Sequence, residues 1–591
     1  MRHADGGLCM NSQSPLSPAL AAAREAEDQV AACLTSGASF VLEAGAGAGK
    51  TYSLVECLRK LLSSQSVRLR SHNQRIACIT YTNAATSVIN GRIDFNPLVF
   101  TDTIHAFCWA QIRGFQAALR PMVTSLPAWQ DRLADGPVVE KQQIEYELGF
   151  RRISETQISL HHDDVLALTA ALLPLPKFRA ILSNNYPYLL IDEYQDTNLV
   201  IMEAIKANLL GAADSPQIGL FGDHWQRIYE NTCGRVEHVA LTEIGKKANF
   251  RSSVAIVNML NKMRPDLPQA VSDESFEGSA TVYHTNAWSG TRRTGAGGGH
   301  WTGDLPTEVA HQYLEALIAK LTADGWDFAP EKTKILMLTH NVLAAEQGYG
   351  ALARVFPYND QFIKKEDDYI AFFIDRLEPA CDAFRRRRYG EMFTLLGEAA
   401  PTFSSHADKT RWTIRMEELE ALRNSGTVAD VLTHISTGAY IHLPDGVRSR
   451  EYEADHFEPE DGVELPTRVT VARNLRTIPY RQVVALDKFI RGHTPFATKH
   501  SVKGGEFENV LVVLGRGWNR YNFDQFLEWA GAGNVPSDKA DSFERNRNLF
   551  YVSCSRATTR LALLFTQKLS AQSLRTLESW FGQSALQSFS T

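Results

Sequence analysis

Residues 44–51 read Ala44-Gly45-Ala46-Gly47-Ala48-Gly49-Lys50-Thr51, six small side chains before a lysine and a threonine. They follow an apolar run, Ser39–Glu43, that reads as a strand, and they open a run from Lys50 to Ser63 that reads as a helix. Small residues in that setting let backbone N–H groups close around phosphate oxygens, and a helix N-terminus favours the negative charge. Lys50 is then placed to reach the β- and γ-phosphates of a nucleotide, and Thr51 to hold Mg²⁺. Ala44 stands where the usual pattern has glycine. The bland alternative is a flexible glycine loop before an ordinary helix, and the flanking strand and helix weigh against it.

A second group of chemically capable residues is Leu189-Leu190-Ile191-Asp192-Glu193, two carboxylates just past a buried strand. Asp192 is suited to hold Mg²⁺ through water, and Glu193 to polarise an attacking water. An acidic pair after a strand is common in isolation. Combined with Lys50 it points to nucleotide hydrolysis rather than binding alone.

These groups need a scaffold that brings strand ends together. Further strands are expected at Arg75–Tyr81, Tyr186–Ile191 and Gln217–Phe221, with helices between them, one over residues 18–36. Strands alternating with helices predict a parallel α/β sheet with ligands at the carboxyl ends of its strands. A second such pattern starts near Phe250 and includes Lys334–Leu338, Val510–Leu514 and Arg560–Phe565. A charged, helical stretch from about 350 to 495 interrupts it, with the basic run Arg385–Arg388 inside. A smaller insertion, about 110 to 163, interrupts the first sheet. Ser289–Asp304 is glycine-rich and reads as a mobile surface loop.

Composition sets the outer bounds. The chain has 591 residues, 44% hydrophobic and 22% charged, which is ordinary for a globular chain of several domains and excludes a disordered tail or a disulfide scaffold. The net charge of −6 argues against binding nucleic acid through bulk positive charge. Eight scattered cysteines without a C-x-x-C pair give no zinc ribbon and suit a reducing cytosol. The apolar stretches are too short to span a bilayer, and Arg24 and Glu25 cut short the run Leu16–Ala23, so a cytoplasmic protein with no membrane contact is expected.

The remaining motifs, taken in chain order, resemble one family, the UvrD/Rep/PcrA helicases of superfamily 1A. Gln29, 16 residues before Gly45, matches the family's adenine-reading glutamine. Ile79-Thr80-Tyr81-Thr82-Asn83 and Thr103-Ile104-His105-Ala106-Phe107 resemble its DNA-contacting motifs. Asp192-Glu193-Tyr194-Gln195-Asp196-Thr197 resembles the hydrolytic motif, and Gly222-Asp223-x-x-Gln226-x-Ile228-Tyr229 the coupling motif. Asn249-Phe250-Arg251-Ser252, Thr498-x-His500-Ser501-x-Lys503-Gly504-x-Glu506-Phe507 and the segment from Arg547 through Tyr551 to Ala557 complete the set.

The resemblance implies two RecA-like P-loop NTPase lobes, each carrying a mainly helical insertion. The first lobe would be 1–109 with 164–248 around an insertion at 110–163. The second would be 249–349 with 496–591 around an insertion at 350–495. It implies ATP and Mg²⁺ as cofactors and 3′→5′ movement on single-stranded DNA. Gln29 would bond adenine, Tyr52 would lie beside the nucleotide and Phe250 would stack on the base. Glu506 would bind the ribose. Gln226 would sense the γ-phosphate, and Arg251 and Arg556 would reach it from the second lobe. Tyr81, Thr82, Asn83, Thr103, His105, Phe107, Tyr229, Thr498 and His500 would line the DNA track. For Tyr81, Phe107 and Tyr229, core packing competes with base stacking; His105 is a DNA contact or a core histidine.

Two departures stand out. The family's stacking tryptophan position falls on Asn231, and its basic residue after Thr-Asn falls on Ala84. With the short first insertion, Asn231 motivates a second reading: a DNA-sensing motor subunit that works beside a separate nuclease and unwinds little alone. This compact form resembles the helicase subunit of Gabija-type anti-phage systems. Arg385–Arg388, where the family's duplex-contacting subdomain falls, is a duplex contact or a solvated helix face.

Overall fold

The computed structural model describes residues 17–134, 138–146, 151–294, 302–337, 340–397, 400, 402–437, 441–458, 464–497, 503–515 and 521–590. Its contacts divide the chain into two compact units. The first comprises 1–280, 532–560 and 578–582, and the second 281–531, 561–577 and 583–591.

The first unit holds strands β1 (Ser39–Ala44), β2 (Ile76–Thr80), β3 (Val99–Thr103), β4 (Gln143–Tyr146), β5 (Arg152–Ile153), β6 (Gln157–Leu160), β7 (Tyr188–Asp192), β8 (Gln217–Gly222) and β9 (Leu241–Lys246). Six of them form one sheet in the order β3-β2-β7-β8-β1-β9, parallel at every pairing. The strands are nearly continuous apolar runs because helices bury both faces, so all five residues of β2 and of β7 are buried. Helix Pro18–Ser36 packs on this sheet through Ala19, Ala23, Ala26, Val30 and Cys33. That spacing of three and four residues keeps them on one face. Ser17 caps its start, and Gly37, at φ 76°, ends it. Helix Lys50–Ser71 buries Leu54, Val55, Leu58 and Leu61. Each such side chain contributes about 1.5–3 kcal/mol of burial.

The register puts the chemistry on one edge. Glu43 of β1 pairs with Gly222 of β8, and Phe221 of β8 pairs with Asp192 of β7. The phosphate-loop candidate, Asp223 and the acidic pair therefore leave the same end of three neighbouring strands.

The first insertion adds a small sheet to its helices. Beside helices Gln116–Ser125 and Pro127–Ala134 it carries a small sheet in the order β4-β6-β5. Those strands are two to four residues long, too short for an alternating pattern to stand out in sequence. Segments 249–280 and 532–560, assigned from sequence to the second lobe, pack with the first unit. They include the short parallel pair β10 (Ala248–Asn249) and β11 (Ala270–Val271) and helices Val254–Met263 and Ala540–Cys554.

The second unit is built on β12 (Ser279–His284), β13 (Thr333–Met337), β14 (Phe496–Ala497), β15 (Phe507–Leu514), β16 (Ala557–Phe565) and β17 (Leu586–Ser588), in the order β14-β13-β15-β16-β12-β17. Its core runs from Ile335, Leu511 and Leu564 on this sheet and Leu317 of helix Thr307–Ala323 into Leu352, Phe373, Leu432 and Leu486 of the helical stretch. Arg385–Arg388 does not lie along one helix. Helix Glu378–Arg385 ends there, Arg387 takes a left-handed φ of 59°, and helix Tyr389–Leu396 begins. Asp382 holds Arg385 and Arg386, and Glu391 holds Arg388. These exposed pairs are worth about 0–1 kcal/mol each, and they offset the positive charge that a duplex would meet. The glycine-rich segment has its flanks tied, Arg293 N–H to the Asp304 carbonyl at 2.9 Å; its middle, 295–301, lies outside the described residues.

Candidate nucleotide site and stacking track

The loop after β1 takes its shape from Gly47 and Gly49, at φ 74° and 75°, a region that costs other L-residues roughly 1–2 kcal/mol. Space is as strict as conformation. A Cβ on Gly47 would sit 2.6 Å from Asn249 Oδ1 and 2.8 Å from Arg251 Cβ. Asn249 is fully buried and donates to the Ala46 carbonyl at 3.0 Å, while its Oδ1 accepts from the Arg251 and Ser252 N–H groups at 2.9 Å. Gln269 donates to the Ala46 carbonyl at 3.1 Å, and Phe250 N–H donates to the Gly47 carbonyl at 2.9 Å. The asparagine-phenylalanine-arginine-serine motif thus clasps the loop directly. Lys50 donates to the Ala44 carbonyl at 3.4 Å and lies 4.0 Å from Glu193. Thr51 sits in the first turn of helix Lys50–Ser71, whose N-terminus faces the loop.

Asp192 is buried, and burial together with the neighbouring Glu193 charge pushes its carboxyl up to about 7, while Lys50 pulls the other way. Its Oδ1 is buried with no hydrogen-bond partner among the described residues. An acceptor in that state fits a cation ligand, and Thr51 supplies a neutral oxygen of the type Mg²⁺ takes. Glu193 has a left-handed φ of 48°, the kind of strained backbone that collects at functional sites. Its carboxylate accepts from Gln195 Nε2 at 2.6 Å, and Gln195 Oε1 accepts from Asp223 N–H at 3.0 Å.

Gln226 donates to Asp223 Oδ2 at 2.7 Å and accepts from Arg556 at 3.1 Å. Arg556 is almost fully buried; burial and the nearby Arg251 cation lower it to about 10, a shift that a phosphate anion would reverse. Arg251 donates to the Ser555 carbonyl at 3.4 Å. Lys50, Glu193, Gln226, Arg251 and Arg556 all lie in the first unit, although sequence placed both arginines in a second lobe. Glu506 lies in the second unit, exposed, just before β15.

Beside the loop, Tyr52 and Phe250 expose 52% and 44% of their surface, enough for each ring to offer a face. Lys246, buried under Tyr52, lies 5.7 Å from its ring and donates to Ser53 at 2.7 Å, with Glu27 3.5 Å away. Gln29 is exposed on helix Pro18–Ser36 and lines an open groove with Arg24, Glu25 and Asp28.

Two rings of the expected track meet. Tyr81 and Tyr229 stack at 5.1 Å and 29°, and Tyr81 is 39% exposed. Thr82 and Thr103 cap the helices Asn83–Arg92 and Ile104–Ile112, and Asn83 is exposed at the start of the first. Phe107 is corrected to a core residue: 5% exposed, it packs against Phe100 at 5.7 Å and Tyr186 at 5.4 Å and has no free face. His105 is half-buried beside His162, and burial with that neighbour lowers it to about 4. Thr498 and His500 lie outside the described residues. Trp225 does not replace the platform lost at Asn231. Arg547 and Arg264 cover its ring at 4.3 and 5.2 Å, and Tyr551 meets it edge-on.

Glu43, Lys246, Arg264 and Gln269 went unread in sequence. Glu43 had a usable signal, a charged residue closing an otherwise apolar run; Lys246, Arg264 and Gln269 had none.

A family model described as an AAA domain matches residues 28–232, the stretch that holds the loop and the acidic strand end. The chain is 24% identical to the Gabija protein GajB of Bacillus cereus (strain HuB5-5), over 89% of this chain and 92% of that protein. The motifs and the fold resemble those of UvrD-type helicases, and both similarities are consistent with that class. Among the described residues no single helix is long and apolar enough to cross a membrane. The bent pair His162–Leu172 and Pro176–Asn185 is apolar enough together, but Val165, Leu168, Leu172 and Phe178 spend that character on the first unit's core.

Proposed function

We propose that the chain is an ATP-driven motor that moves 3′→5′ on single-stranded DNA and serves anti-phage defence beside a separate nuclease. One observation carries the hydrolytic part: Lys50 within 4.0 Å of Glu193, past the ends of β1 and β7 that flank β8, with Gln226 and Arg556 hydrogen-bonded in the same unit. Mg²⁺, held by Thr51 and Asp192, would neutralise phosphate charge. The loop N–H groups and Lys50 orient the phosphates. Glu193, its carboxylate steadied by Gln195, accepts the proton of the attacking water. Arg251 and Arg556 stabilise the charge that develops on the transferred phosphoryl group, an effect worth roughly 10³–10⁵ in rate where an arginine acts this way.

The direction of travel rests on family resemblance, and the defence role on the likeness to the Gabija protein. The stacked pair Tyr81–Tyr229, with Trp225 covered, favours a motor that tracks or senses DNA over a strong strand separator. ATP turnover measured with single-stranded DNA, duplex DNA, RNA and no polymer tests the motor. Stimulation by single strands is expected, and turnover indifferent to DNA refutes it. Strong unwinding of a 3′-tailed duplex by the isolated chain would refute the subunit reading. Co-purification of a nuclease tests the partner.

A further inference from the structure

Beneath the nucleotide site lies a buried ion cluster that the hydrolytic reading does not use. Glu43, Asp223 and His224 bring their ligand atoms within 4.8 Å of one another, a grouping able to hold a metal ion. Here the cation is supplied by the chain itself. Arg264, 2% exposed, donates from Nη1 to Asp223 Oδ1 at 2.6 Å and holds Nη2 3.6 Å from Glu43 Oε2. The guanidinium fork spans two carboxylates, which a single ammonium does not. Its aim is set by the chain: Pro265 follows, so Arg264 leaves helix Val254–Met263 with an extended backbone, φ −127° and ψ 76°.

We propose that Arg264 is a positioning residue for hydrolysis, joining the γ-phosphate sensor to the turn that bears the general base. One arm runs Arg264–Asp223–Gln226–Arg556. Asp223, fully buried, accepts from Gln226 Nε2, so the Gln226 amide must turn its oxygen to Arg556. The other arm runs Arg264–Glu43–Tyr194. The Tyr194 hydroxyl donates to Glu43 Oε1, and Tyr194 follows Glu193 directly. His224 Nδ1 lies 3.0 Å from Glu43 Oε2, and the Trp225 ring covers the guanidinium. Removing Arg264 would leave two buried carboxylates facing each other, a cost met by protonation or by turning away. Either response frees the Gln226 amide and the Glu193 turn together.

This inference rests on the hydrolytic reading, and the test separates the two. Steady-state ATP turnover with single-stranded DNA is measured for the full chain and for Arg264→Lys, Arg264→Ala and Glu43→Gln. Each is assayed well below its own melting temperature, beside binding of a non-hydrolysable ATP analogue. Arg264→Lys is expected to lower kcat about 10-fold or more with KM and analogue affinity within about 3-fold, the sign of an interaction realised in the transition state. Glu43→Gln, which keeps volume and the Tyr194 acceptor, is expected to lower kcat about 3-fold. A purely structural role lowers the melting temperature and leaves kcat of the folded variant intact, which overturns the proposal, as does a change confined to KM. Should neither Arg264 variant fold, unchanged kcat in Glu43→Gln overturns it. No turnover in the unaltered chain refutes the hydrolytic reading, and this inference with it.

Discussion

The candidate nucleotide site and the proposed stacking track occupy the same unit and are built in opposite ways. Around the phosphate loop, Asn249, Asp192, Asp223, Arg264 and Arg556 are buried and held by side chains from distant parts of the sequence. Along the track, Tyr81, Thr82 and Asn83 are exposed, and the main fixed feature is one pair of rings. Phosphoryl transfer needs donors and acceptors fixed before the reaction, because reorganising them during it costs rate. A strand that must slide needs faces that accept any base, since every base has a π-face. Rigidity suits the first task, and access suits the second.

The most severe break falls on the rigid side. Lys50→Ala and Glu193→Gln are each expected to cut DNA-stimulated ATP turnover by about 10³-fold or more while the melting temperature stays close to that of the parent. Normal turnover in either would remove the basis for the hydrolytic assignment.

Gly47→Ala comes next. It combines a strained φ with a contact at 2.6 Å, and Asn249 is pinned by four hydrogen bonds and cannot yield. ATP-analogue affinity is expected to fall about 10-fold or more, readable by calorimetry. Gly91→Ala, on an open helix face, serves as the neutral comparison.

The third contrast separates the two uses of aromatic residues. Tyr229→Ala is expected to weaken single-stranded DNA binding by about 1–3 kcal/mol, measured by fluorescence anisotropy. Phe107→Ala is expected to cost about 3–5 kcal/mol of stability in denaturant melts, through the cavity it leaves. If Phe107→Leu folds and still loses DNA affinity as Tyr229→Ala does, the boundary between core and track has been misplaced.

The smallest effect concerns acid. The folded state lowers His105 to about 4 through burial, His162 and His161, with Asp163 opposing. The unfolded chain takes up a proton near 6.5 and the folded chain does not, so this contribution to stability is lost as pH falls from about 6.5 to 4. His105→Gln should therefore show a smaller drop in melting temperature between pH 7 and pH 5 than the parent.

How much of this was legible follows from range. The loop, Lys50 and the acidic pair stand in short contiguous motifs flanked by periodic segments, so local pattern suffices to read them. Strands β1, β7 and β8 were placed within about two residues because both faces are buried and their apolar runs are unbroken. Strand β3, with four of its five residues half-buried, gave no such run. The break in Arg385–Arg388 was missed because a left-handed arginine carries no composition signal.

By itself the sequence sufficed to propose the nucleotide chemistry, since phosphate binding and water activation each depend on residues adjacent in the chain. It could name Arg556 and Gln226 but not their partnership across 330 residues. Tertiary structure decided that Phe107 is core, that Trp225 is covered, and that Arg264 rather than a metal balances Glu43 and Asp223. The physical reason is common to all three. Burial and charge pairing are set by what packs against a residue, and those neighbours come from segments that no local window contains.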